Sequence, residues 1–144
     1  MNQVFYRHPI RFGPIMVGQE MPTCGVGTSI AQVLYLLLHT RYGELRSDRS
    51  FGCKIWDFDY DRTVSNAHWV TQLCESLEAA IQRHERRLTK PQVSVQFQPV
   101  EHRLDALPED YQQLATVTIS ATLVETEEPF RFTTQLHLGH LSTR

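Results

Sequence analysis

A long amphipathic pattern runs from Asn66 to Leu88. Apolar residues recur at Val70, Leu73, Cys74, Leu77, Ala80, Ile81 and Leu88, and His84 falls on the same line. Steps of three and four residues put these positions on one face of a helix about six turns long. Asn66, or Ser65 before it, is a suitable N-cap, because a short polar side chain can accept hydrogen bonds from the first-turn N–H groups. Arg83, Arg86, Arg87 and Lys90 crowd the far end, where cations complement the negative pole of the helix dipole. Pro91 cannot continue a helix and is expected to hold Lys90 extended. Val93, Val95 and Phe97 then alternate with Ser94, Gln96 and Gln98, the two-residue period of a half-buried strand.

A second helix is predicted from Ser29, where Gln32 completes an S-x-x-Q capping box. Ile30, Val33, Leu34, Leu37 and Leu38 form its buried stripe, and Gly43 offers the left-handed residue that ends it. Ala31, Tyr35 and Leu36 make the rest of its circumference apolar as well, so it should be covered on more than one side, by its own fold or by a partner. Late in the chain, Val117, Ile119, Ala121 and Leu123 alternate with Thr118, Ser120 and Thr122. After the turn E-T-E-E-P, Phe130, Phe132, Thr134, Leu136 and Leu138 alternate with Arg131, Thr133, Gln135 and His137. This predicts a β-hairpin antiparallel to the Val93 strand. Its Thr-rich polar face suits a solvated sheet or an edge awaiting a partner.

Residues 1–27 place apolar side chains between Pro9, Gly13, Pro14, Gly18, Pro22, Gly25 and Gly27. No period survives so many breakers, and an irregular N-terminal arm with room for a short strand is expected. Its apolar content suggests that it lies on something, its own domain or a partner. The predicted fold is α+β: two amphipathic helices packed on a small, mainly antiparallel sheet of three or four strands. Residues 28–144 then form a single domain.

Composition narrows the function classes. A chain of 144 residues is long enough for one domain with a real core. Its net charge is −2, so nothing global argues for nucleic acid. No apolar run approaches the roughly 20 residues of a membrane helix, and the first residues lack the apolar core of a signal peptide. A cytoplasmic protein without membrane insertion is expected. Cys24, Cys53 and Cys74 show no C-x-x-C spacing and read as reduced, partly buried small hydrophobes rather than a disulfide or zinc framework.

Candidate chemistry is sparse. Glu44, followed by an Asp-rich loop, raises the question of a two-carboxylate glycosidase. A general acid needs an apolar pocket that raises its pKa, whereas Glu44 sits among cations, with Arg41 and Arg46 close in sequence. Asp57, Asp59 and Asp61 alternate with Phe58 and Tyr60, as in a strand with one solvated face. A salt-bridged loop is therefore expected, with no catalytic residue. The seven histidines show no H-x-x-x-H or H-E-x-x-H spacing, so neither a metal site nor a cofactor is expected. Arg83, Arg86, Arg87 and Lys90 lack the interleaved aromatic residues of a nucleic-acid surface.

Two segments resemble a known family. I-Q-R-H-E-R-R-L-T-K-P-Q-V, Ile81 to Val93, resembles the "I…YEPRL…V" signature of the baseplate wedge proteins of contractile phage tails and type VI secretion systems. Glu85 and Arg87 match that signature; Arg86 stands where the family usually has Pro, and His84 where it has Tyr. Upstream, L-L-H-T-R-Y-G-E-L-R-S-D-R-S-F-G resembles a second signature, carried by Thr40, Gly43, Glu44, Phe51 and Gly52. With the first helix and the closing strands, the resemblance spans about residues 28–139 and leaves the N-terminal arm uncovered. The resemblance implies a non-enzymatic baseplate subunit that binds other wedge subunits and the first sheath ring, and takes no small-molecule substrate. It also implies that Glu85 and Arg87, with Arg83 and Arg86 beside them, form an interface, and that Gly43, Glu44, Phe51 and Gly52 form a structural loop. A lysozyme-type glycoside hydrolase and an unrelated cytoplasmic adaptor are the alternatives.

Overall fold

The computed structural model describes residues 3–57, 67–99 and 112–139. The main sheet consists of β3 (Leu88–Pro99), β4 (Gln112–Leu123) and β5 (Pro129–Gly139), antiparallel throughout, in the order β3-β4-β5. Its register follows the alternation in the sequence: Val95 lies opposite Val117, which lies opposite Thr134, and Val93 opposite Ile119, which lies opposite Phe132. Because side chains alternate across a strand, these residues share one face with Phe97, Ala115, Ala121, Phe130, Leu136 and Leu138. The other face carries Ser94, Gln96, Thr116, Thr118, Ser120, Thr133 and Gln135. The hairpin turn closes with the Leu123 N–H donating to Glu128 O at 2.9 Å and the Glu127 N–H to Leu123 O at 2.9 Å.

Helices α2 (Val26–His39) and α3 (Ala67–His84) supply the apolar layer over that face. Ile30, Leu34, Leu37 and Leu38 of α2 and Leu73, Leu77, Ala80 and Ile81 of α3 are buried together with Ile55, Val117, Ile119 and Leu136. The α+β class and the packing of two helices on a small antiparallel sheet thus follow the binary pattern. On α2, Tyr35 and Leu36 remain more than half exposed, so the second apolar side of this helix is uncovered among the described residues.

The arm contains a two-residue antiparallel ladder of β1 (Phe5–Tyr6) with β2 (Thr23–Cys24), and between them a short helix, α1 (Phe12–Met16). It lies across α2: the Gln32 amide donates to Tyr6 O at 3.2 Å, and its Oε1 accepts the His8 N–H at 2.7 Å.

Four local expectations change. Helix α2 begins after Gly25 and has no side-chain cap, so Ser29 and Gln32 lie inside it and not at a capping box. Its last residue is His39, and Gly43 acts further on, at φ +81° in the following turn. Helix α3 stops at His84, and Leu88 is already in β3, buried and opposite Leu123. Lys90 adopts φ +51° at a bulge between Thr89 and Gln92 rather than an extended conformation. A bulge absorbs the extra residue and re-aims the strand leaving the turn, which overrides the local preference set by Pro91. The N-cap expected at Asn66 or Ser65, most of the Asp57–Asp61 segment and the connection after Pro99 lie outside the described residues.

Candidate functional site

The end of α3 and the turn into β3 are where the two sequence signatures meet. After His84 the chain must reverse toward β3, which leaves the carboxylate of Glu85 beneath the turn, 3% exposed. Burying a carboxylate without partners is costly, and here Arg87 satisfies it. Arg87 Nε donates to Glu85 Oε1 at 2.8 Å and Nη2 to Oε2 at 2.8 Å, a bidentate fork. The Arg87 backbone N–H adds a third bond to Oε1 at 3.0 Å. The fork holds the Arg87 guanidinium pKa above its ordinary value; burial works in the opposite direction. Nη1 donates to Ser29 Oγ on α2 at 2.9 Å, and the guanidinium carbon lies 5.1 Å from the centre of the Phe5 ring. Arg87 O in turn accepts the Val124 N–H at 2.9 Å, next to the hairpin turn. One arginine therefore ties the helix end, the hairpin turn after β4, α2 and the arm.

His84, the last residue of α3, faces the upstream loop. Its ring stands edge-on to Phe51 at 5.1 Å, its Nε2 is 3.3 Å from Ser50 O, and its Nδ1 is 3.7 Å from the Asp48 carboxylate. The Asp48 carboxyl is held below its ordinary pKa, first by the hydrogen bond from Ser50 Oγ, then by the Ser50 N–H, with His84 and Arg83 adding Coulombic support. The loop is closed from within as well. Cys53 N–H donates to Thr40 O at 2.8 Å, Gly43 N–H to Arg49 O at 3.0 Å, and Arg41 N–H to Glu44 Oε2 at 2.8 Å. Glu44 thus acts as a backbone acceptor on an exposed turn, without the apolar pocket that a general acid requires. Gly52, at φ +145°, passes so close to residue 41 that a Cβ would come within 2.7 Å of Arg41 C and 2.8 Å of its O. Only glycine fits there.

Of the residues singled out from sequence, Gly43, Glu44, Phe51 and Gly52 come together in this loop, and Phe51 reaches the signature at the helix end through His84. Glu85 and Arg87 come together with each other. Arg83 and Arg86 are exposed beside them. Phe5 and Ser29 were not foreseen. Ser29 and Arg87 are 58 residues apart, and the only local signal at Ser29, a capping pattern, pointed elsewhere. Burial pushes the Cys74 thiol pKa up, which disfavours the thiolate.

The family model for baseplate wedge protein gp25 matches residues 26–128, a span that contains both signatures. A protein from Geobacter sulfurreducens described as a tail lysozyme has a similar structure, with a TM-score of 0.59 at 20% identity over 84% of this chain and 98% of that one. A chain of the baseplate complex from the type VI secretion system is also similar, with a TM-score of 0.51 at 17% identity over 76% of this chain and 91% of that one. At such identities these two likenesses establish a shared fold. Among curated proteins none matches the chain significantly. Both signatures, the α+β architecture that joins them and the match across residues 26–128 lead to one conclusion: the chain belongs to the baseplate wedge protein gp25 family.

Proposed function

We propose that this protein is a structural, non-enzymatic subunit of the baseplate wedge of a contractile injection machine, acts in the cytoplasm, and connects the wedge to the first sheath ring. The observation that carries this reading is the outer edge of β5. Among the described residues β5 pairs only with β4, and α2 presents Tyr35 and Leu36 exposed. An open strand edge can accept a strand from another chain through main-chain hydrogen bonds, while adjacent apolar groups set which strand fits. Phe132 of β5, with Ala31, Tyr35 and Leu36 of α2, lines an apolar groove of this kind. Arg83 and Arg86, exposed beside the Glu85–Arg87 fork, supply a second, polar surface for neighbouring wedge subunits.

The test is affinity purification of the tagged full chain from cells that express the complete machine. Recovery of wedge and sheath subunits is expected. Recovery of neither, or release of sugar from peptidoglycan by the purified chain, overturns the reading.

A further inference from the structure

The arm is attached to the body in an unusual way. Its ladder is two residues long on each side, α1 buries no residue, and the Arg7 N–H is used within the arm, donating to Pro22 O at 2.9 Å. Phe12, Met16 and Val17 are 70%, 85% and 73% exposed. Gln32 and the Arg87 guanidinium supply its polar and aromatic attachments to the body, and the Gln32 bonds to Tyr6 and His8 are themselves exposed. Segments with few buried apolar contacts and solvent-exposed backbone hydrogen bonds open far more cheaply than the core.

What the arm covers is Arg87 of the family signature. A guanidinium has five N–H groups. Glu85 and Ser29 engage Nε, Nη2 and Nη1, and the remaining N–H groups have no partner among the described residues. Beside them Gln3, Phe5, Val26, Leu123, Glu125 and Thr126 line a partly open cavity of about 40 Å³, in which Glu125 is not hydrogen-bonded to Arg87. That is space for a few waters and not for a side chain of another protein. If Phe5 leaves, the face of Arg87 and the apolar wall of Val26 and Leu123 become continuous.

We propose that the N-terminal arm is a releasable strap: Phe5 covers Arg87 in the free chain, and a partner segment that offers a carboxylate to Arg87, with an apolar residue beside it, displaces Phe5 during assembly. This rests on the reading of the helix-end signature as a baseplate contact. The strap would keep the site closed until a partner of the right chemistry competes for it. The released arm, with Phe12, Met16 and Val17 already exposed, then has apolar area to bury elsewhere.

The test uses the full chain as wild type, Phe5→Ala and Phe5→Tyr. One readout needs no partner: the rate at which phenylglyoxal modifies Arg87, followed by mass spectrometry, together with amide hydrogen exchange. Phe5→Ala should speed Arg87 modification and arm exchange, leave exchange in α2, α3 and the sheet unchanged, and be reversed in Phe5→Tyr, which keeps the stacked ring. The second readout is affinity for the purified wedge subunits of the same machine. If the closed state dominates the free chain, removing the cover raises apparent affinity by about three- to tenfold, the inverse of the open fraction. Unchanged Arg87 reactivity, exchange that rises equally in arm and core, or unchanged partner affinity in Phe5→Ala overturns the strap. The underlying interface reading is tested separately with the Arg83→Ala/Arg86→Ala double variant, whose substitutions do not touch the arm. Full retention of wedge partners by that variant overturns the interface whatever Phe5→Ala does.

Discussion

Glu85 and Arg87 bind each other within the chain: the carboxylate receives the guanidinium fork at 2.8 Å on both oxygens, at the point where α3 turns into β3. From sequence, Arg87 looks like an outward cation at a helix end whose loss would cost under about 1 kcal/mol. The geometry implies a larger effect. Breaking a fully buried pair by removing one member costs about 3–5 kcal/mol, and Arg87, whose side chain is 28% exposed, retains some solvent screening. Arg87→Ala is therefore expected to destabilise by about 2–4 kcal/mol in urea unfolding, with Arg87→Lys a partial rescue, because a point charge cannot reproduce the fork. A loss under about 0.5 kcal/mol, the usual range for surface substitutions, would show that the pair does not hold the turn.

Leu37 and Leu77 are each 1% exposed at the centres of their helix faces. Leu→Ala at either position should cost about 2–5 kcal/mol, through lost transfer free energy and the cavity left behind. Urea midpoints that do not move at both sites would refute the shared core between α2 and α3.

The two loop glycines should respond differently. Gly43 has φ +81° with open space where a Cβ would go, so Gly43→Ala pays only the left-handed conformational cost, about 1–2 kcal/mol. Gly43→Asn should recover much of it, since Asn tolerates that region. At Gly52 the Cβ would collide with the backbone of Arg41, so Gly52→Ala should cost more than Gly43→Ala, and Asn should not help. Equal losses at the two positions would contradict the close approach of residues 41 and 52.

The Asp48 carboxyl predicts a pH dependence. Its folded pKa lies below the ordinary 3.8, so its hydrogen bonds stabilise the loop above that value, and this contribution is lost as pH falls through the lower folded pKa. Asp48→Asn should therefore be less stable than wild type at pH 6, and the two unfolding curves should converge as the pH drops below 3.8. Curves that stay parallel down to strong acid would exclude Asp48 as the titrating group.

Glu44 accepts the Arg41 N–H on an exposed turn, and catalysis is not expected of it. Purified wild type and Glu44→Gln should be indistinguishable in peptidoglycan digestion across the pH range. Turnover that vanishes in Glu44→Gln would make the protein a hydrolase.

The sequence by itself determined the elements whose residues respond to their near neighbours. Steps of three and four place Leu34, Leu37, Leu73, Leu77 and Ile81 inside, and two-residue alternation places Val95, Val117, Ile119 and Leu136 inside, because burial on one face is a local periodic property. The two signatures were legible for the same reason: each is a short run of residues. What only the tertiary structure decided is how side chains from distant segments share partners. Ser29 and Gln32 form a good capping pattern, yet in the fold Ser29 accepts a bond from Arg87 and Gln32 holds the arm. His84 looks like one more position on an apolar stripe, but it ends the helix and joins it to the loop at Ser50 and Phe51. Arg87 differs from Arg83 and Arg86 only by lying two residues beyond a buried Glu85, and burial of a carboxylate exists only once α3, β3 and β4 have packed. A hydrogen bond across tens of residues leaves no period in the chain, since the groups that compete for each donor are brought within reach by the fold alone.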